Sequence, residues 1–165
     1  MNNAETLKIT AQGERELLLS RAFGGPPRHV FDALTQPELV QHWLLGGPPG
    51  WTMPVCEIDL RVGGTYRYVW RNDSGNEMGM GGVYREIVPG RRLVQTESFD
   101  QKWYPGDALI TTELAGQGSG TKFTATILYE SHEARNAVLK SRMEQGVAAS
   151  YDRLKALLEA IAHGG

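Results

Sequence analysis

The spacing of apolar residues changes along this chain. Residues 131–162 form the longest stretch compatible with one uninterrupted helix. Within it Val147, Tyr151, Leu154, Leu158 and Ile161 recur at helical spacing, with Met143 one turn upstream, so they share one face. From Met53 onward the period is two. Strands are predicted over 55–60, 65–70, 77–88, 92–99, 108–114 and 122–130. In the second of these Tyr66, Tyr68 and Trp70 lie on one face and Arg67, Val69 and Arg71 on the other. Phe123, Ala125, Ile127 and Tyr129 share a face of the last strand. Gly79, Gly81 and Gly82 predict a bulge or strong curvature in the third.

The N-terminal third reads differently. Pairing can begin over 7–10, and 14–23 is the first solid strand. Gly24-Gly25-Pro26-Pro27 breaks it, and a short helix follows through Leu34. Thr35-Gln36-Pro37-Glu38 predicts a second helix, with Thr35 as cap and Glu38 reaching back to it. That helix runs through Trp43 to the loop 46–50, a lid or a plain connection. Residues 102–106 predict another exposed opening. A long helix with one apolar stripe needs a partner, and a curved antiparallel sheet supplies it. The expected class is α+β, with the sheet wrapped around the C-terminal helix and either a closed core or a cavity between them.

Composition narrows the function. At 165 residues the chain suits one domain, with its core over about 14–162. The net charge is −2, and the arginines are scattered among acids and apolar residues, so no nucleic-acid partner is expected. No stretch approaches a membrane-spanning length, and the first residues lack a signal pattern. With a single cysteine, Cys56, no intrachain disulfide can form. The expectation is a soluble cytoplasmic protein without membrane insertion, a homodimer being left open.

The order of elements, with particular motifs, resembles the START/Bet v 1-like (SRPBCC) superfamily. Within it the chain resembles the family related to the C-terminal domain of the activator of Hsp90 ATPase. Thr35-Gln36-Pro37-Glu38-Leu39 with Trp43 resembles that family's second-helix motif, and Glu57-Ile58-Asp59-Leu60-Arg61-Val62-Gly63-Gly64 its early strand-turn motif. Gly82-Val83-Tyr84-Arg85-Glu86-Ile87-Val88-Pro89, followed by Arg92-Leu93-Val94, resembles its central hairpin. Gly146 to Leu154 is similar to its last helix, although many members carry Trp at the position of Val147 and Leu at that of Tyr151. The resemblance implies a helix-grip fold of six or seven strands with two short helices after the first strand. It implies roles ranging from small-molecule binding through cyclase chemistry to chaperone assistance and stress response, and fold alone does not choose among them. Because the fold pattern begins almost at Met1, the activator's separate N-terminal domain is not expected. Stimulation of an Hsp90-like partner is therefore expected to be weak or absent.

Candidate chemistry follows the faces. Trp43, Tyr66, Tyr68, Trp70, Phe123, Ile127, Met143, Val147 and Tyr151 are expected to line a pocket for a hydrophobic or amphipathic molecule, or else to pack as core. His42, Glu57, Arg67 and Glu97 are the polar candidates for the cavity. An enzymatic alternative, cyclase-like or hydrolytic, would place Glu57, Arg67, Glu97 and Tyr151 around one ligand. His29, His42, His132 and His163 form no compact metal motif, and the glycines form no phosphate or dinucleotide loop. No metal or cofactor is expected, and non-enzymatic binding is favoured.

Overall fold

The computed structural model describes residues 6–44, 50–141 and 143–164. The lid expected at 46–50 lies, apart from Gly50, outside them. Two strands, β1 (Lys8–Gln12) and β2 (Glu16–Gly24), lead into α1 (Pro27–Thr35) and α2 (Pro37–Trp43). Six strands follow: β3 (Thr52–Ile58), β4 (Thr65–Arg71), β5 (Glu77–Val88), β6 (Arg92–Phe99), β7 (Ala108–Gln117) and β8 (Gly120–Tyr129). The described chain closes with α3 (His132–Lys140) and α4 (Met143–Gly164). The strands form one antiparallel sheet in the order β1-β2-β8-β7-β6-β5-β4-β3, so β2 and β8, far apart in sequence, are neighbours. This is the expected α+β helix-grip arrangement. It has eight strands rather than six or seven, and the two short helices follow the second strand.

Alternation builds the inner layer. Leu17, Leu19 and Phe23 of β2, Tyr66, Tyr68 and Trp70 of β4, and Phe123, Ala125, Ile127 and Tyr129 of β8 are buried beneath the helices. Leu154 and Leu158 of α4 are buried against them, and Tyr151 packs its ring 5.3 Å from Phe123, 5.9 Å from Phe23 and 6.0 Å from Trp43. These edge-on and tilted contacts seat the middle of the helix.

Two local expectations are corrected. The C-terminal helix is not continuous. Ser141 takes an extended backbone (φ −79°, ψ 135°), its N–H donates to the carbonyls of Ala137 and Val138, and its hydroxyl donates to Val138 O at 2.6 Å. The side chain competes for the carbonyls that would continue the helix. Upstream, Ser131 Oγ caps α3 by accepting from Ala134 N–H at 3.0 Å. Arg135 then donates to Glu16 O at 3.0 Å, and a ring nitrogen of His132 lies 2.9 Å from Glu14 O, tying α3 to the β1–β2 hairpin. Thr35 is not the cap of α2: its hydroxyl donates back to Phe31 O at 2.8 Å inside α1, and Gln36 precedes Pro37 at the first helical position.

The glycines of β5 do mark an irregularity. The β5–β6 register shifts by one residue between Tyr84 and Glu86, and the ladder is interrupted opposite Thr96 and Glu97. There Val83 N–H donates to Thr96 Oγ1 at 2.8 Å, and the Thr96 carbonyl accepts from the Tyr66 hydroxyl. Tyr66 thus reaches from β4 across β5 to β6. It can do so because its register partner is Gly82, where a Cβ would collide with the Thr96 carbonyl.

A cavity with one buried carboxyl

Between the concave face of the sheet and α2, α3 and α4 lies a cavity of about 750 Å3. Its sheet side is built by every second residue of successive strands: Tyr68 and Trp70, Met78 and Met80, Leu93 to Phe99, Ile110 and Thr112, and Phe123 to Tyr129. Val40 and Trp43 close one end, and Met143, Val147 and Tyr151 form the helix wall. Indole hydrogen bonds fix the α2 end: Trp43 Nε1 donates to Ala33 O and Trp70 Nε1 to Leu44 O, each at 2.8 Å. Trp103, 40% exposed, joins the lining to the surface.

Among the described residues, the one acidic side chain in this lining is Glu97, next to the break in the β5–β6 ladder. Tyr104, turned inward from the loop after β6, donates its hydroxyl to Glu97 Oε1 at 3.0 Å. Among the described residues no donor meets the other carboxylate oxygen. Burial pushes the Glu97 carboxyl up to about 7, against the opposing pull of the Tyr104 hydrogen bond. The side chain is enclosed by protein yet only half-buried, because the space beside it is the cavity. Burial, then the Glu97 charge, raises the Tyr104, Tyr129 and Tyr151 hydroxyls, so these remain neutral donors.

Of the nine apolar candidates, Trp43, Tyr68, Trp70, Phe123, Ile127, Met143, Val147 and Tyr151 border the cavity. Tyr66 does not: it is buried on the same face, but its ring is committed to the Tyr68–Tyr84 cluster and its hydroxyl to Thr96. Of the polar candidates only Glu97 faces inward. His42 is exposed on α2, one residue and about 100° around the helix from buried Trp43. Glu57 and Arg67 are register partners on the outer face, and Arg67 donates to both Asp100 carboxylate oxygens at 2.7 and 2.5 Å. The four groups of the enzymatic alternative therefore do not converge. Cys56 is half-buried with its thiol near Pro37 O, and burial followed by the Glu38 charge pushes it up to about 11, so it stays protonated.

Sequence reasoning missed Phe99, Trp103, Met78, Met80 and Gln95 in the lining, and Tyr104 behind Glu97. The period-two pattern of β6 carried a signal for Leu93, Gln95, Glu97 and Phe99; no local pattern marks Tyr104, which sits in a loop. Among the described residues there is no group of three or more His, Cys, Asp or Glu side chains able to hold a metal ion, and no helix is long and apolar enough to cross a membrane.

A curved antiparallel sheet gripping a C-terminal helix over an apolar cavity defines a START/Bet v 1-like, helix-grip protein. The profile of the family described as activator of Hsp90 ATPase homolog 1-like protein matches residues 25–159, and the chain belongs to that family. No functionally curated protein matches it. Solved structures do. A Rhodobacter sphaeroides protein is 30% identical over 94% of this chain and 99% of its own, with a TM-score of 0.88. A Chromobacterium violaceum protein is 31% identical over 89% of this chain and 99% of its own, with a TM-score of 0.77. A Nitrosomonas europaea protein is 26% identical over 93% and 99%, with a TM-score of 0.79.

Proposed function

We propose that this protein binds a small hydrophobic or amphipathic molecule in the cavity and performs no chemistry on it. The supporting observation is the lining: apolar and aromatic side chains around a volume within the range of about 300–1,000 Å3 usual for ligand pockets. Trp43, Trp70 and Trp103 border the space, so binding should change intrinsic tryptophan fluorescence. The test is titration with a neutral apolar fluorophore, N-phenyl-1-naphthylamine, together with native mass spectrometry of the purified protein. Saturable one-site binding that Tyr68→Ala weakens, in a variant that remains folded, supports the reading. A folded protein that takes up no neutral apolar probe overturns it. Assembly with an Hsp90-family ATPase is the competing reading, and strong, saturable stimulation of such an ATPase would displace ours.

A further inference from the structure

Glu97 is out of keeping with the rest of the lining. Phe99, Trp103, Tyr129 and Tyr151 line the same cavity, and Tyr104 bonds Glu97 from behind. The rings are mutually braced: Phe99 lies 5.5 Å from Trp103 and 6.0 Å from Tyr104, and Tyr104 lies 5.2 Å from Tyr129. Such rings present negative faces to a cation, and a carboxylate among them adds the opposite charge. Burying a carboxyl without a charged partner is costly, and a structural role is already met by the Tyr104 bond to one oxygen.

Among the described residues, the charged and titratable groups around Glu97 leave it uncompensated. On β2, Arg21 gives Nη1 to Asp152 of α4 at 3.0 Å, and its guanidinium lies over Phe23, 4.9 Å from the ring centre. On the loop after β6, Lys102 pairs with Asp107 at 2.8 Å. The remaining neighbours are the hydroxyls of Tyr66 on β4, Tyr104 on that loop, Tyr129 on β8 and Tyr151 on α4, all raised by burial and neutral. Among the described residues no cationic side chain pairs with Glu97.

Resting on the cavity-binding reading above, we infer that Glu97 is the head-group anchor of the cavity, and that the ligand is an amphipathic amine with an apolar body and a cationic head, carboxylates being rejected. The ammonium would donate to the free Glu97 oxygen and lie against the aromatic rings, while the tail fills the space toward Trp70 and Val147. Because Glu97 is neutral below about 7, amine affinity rises with pH across that point.

The experiment displaces N-phenyl-1-naphthylamine with n-decylamine, n-decanol and n-decanoate, which share one tail and differ only in the head. At pH 8 decylamine should bind about tenfold or more tighter than decanoate, as expected of one charge-assisted hydrogen bond. Decylamine should also bind more tightly at pH 8 than at pH 5.5, a range over which its ammonium stays charged. Glu97→Gln should abolish both the amine preference and the pH dependence while keeping decanol binding. Tyr104→Phe, which leaves the carboxylate in place, should keep the amine preference, and Glu57→Gln on the outer face should change nothing. Equal affinity for the three heads, or a preference that survives in Glu97→Gln, overturns the inference and leaves cavity binding standing. Failure of all three ligands and of the probe overturns both.

Discussion

The two faces of the same strands treat charge in opposite ways. On the outer face of the central strands carboxylates meet arginines in water: Arg67 with Asp100, Arg71 with Glu77, and Arg92 with both Glu86 and Glu113. On the inner face β6 turns one carboxyl, Glu97, into an apolar cavity and gives it a single tyrosine hydroxyl. Residue type is the same on both sides, and the environment sets the chemistry. An outer carboxylate loses little if its partner is removed, because water replaces it. The inner one has its proton affinity reset by burial, and its behaviour depends on what else occupies the cavity. The inner face itself divides between closed packing under Leu154 and Leu158 and open space beside Met143 and Val147.

The largest effect is expected where the inner face is closed. Leu154 is wholly buried between α4 and the sheet. Leu154→Ala should cost about 2–5 kcal/mol, read as a lowered urea midpoint at unchanged slope. A cost below about 1 kcal/mol would mean that the packed half of α4 is as loosely filled as the cavity half.

Glu97→Gln ranks next, and its sign depends on pH. The carboxyl titrates near 4.5 ordinarily and near 7 in the folded protein. Between those values the folded chain holds the extra proton, so wild-type stability falls as pH rises from about 4.5 to about 7 and then levels. At about 1.4 kcal/mol per pKa unit the span is up to about 3 kcal/mol, reduced by solvent reaching the carboxyl through the cavity. Glu97→Gln should remove this fall, so the variant gains on wild type as pH rises through the window. Denaturation midpoints of both proteins at pH 4.5, 6 and 8 measure it, and parallel curves would place Glu97 in water with the outer carboxylates.

Val147→Trp should affect binding more than stability. Val147 borders open space, so an indole there enters the cavity instead of a filled core. The change should stay within about 1 kcal/mol in stability while apolar-probe affinity falls about tenfold or more. Full probe affinity in a folded Val147→Trp protein would move the binding site elsewhere.

Much of this division was legible in the sequence. Period two set Tyr68, Trp70, Phe123 and Ile127 on one face of their strands, and helical spacing set Met143, Val147 and Tyr151 on one side of α4. Parity also separated Arg67 from Tyr66, Tyr68 and Trp70, so its outward direction followed from the same rule that found the lining. Glu57 needed one thing more, the antiparallel register, because residues paired across strands share a face. What local pattern does not carry are contacts between distant segments. Tyr66 leaves the lining because Gly82 lets it cross to Thr96, and Tyr104 reaches Glu97 from a loop. The helix break was hidden for another reason: Ser141 is neither glycine nor proline, and it stops α3 through its own hydroxyl.

The smallest effect is expected on the outer face, at Arg67. Its guanidinium holds both oxygens of Asp100, and the pair draws the Arg67 pKa up and that of Asp100 down. Geometry of this kind suggests strength, but the two side chains are 44% and 42% exposed. In water the attraction is screened and the carboxylate loses little by being left alone, so Arg67→Gln should cost no more than about 0.5–1 kcal/mol, and less at high salt. Probe and amine affinities should be unchanged, since the side chain points away from the cavity. Chemical denaturation at low and high salt and the same displacement titrations check both parts. A loss of amine affinity in Arg67→Gln comparable to that in Glu97→Gln would show that the faces communicate through the glycine-lined β5, where Gly79 lies against both Arg67 and Asp100. The contrast between a solvated outer face and a chemically distinct inner one would then fail at the strand that separates them.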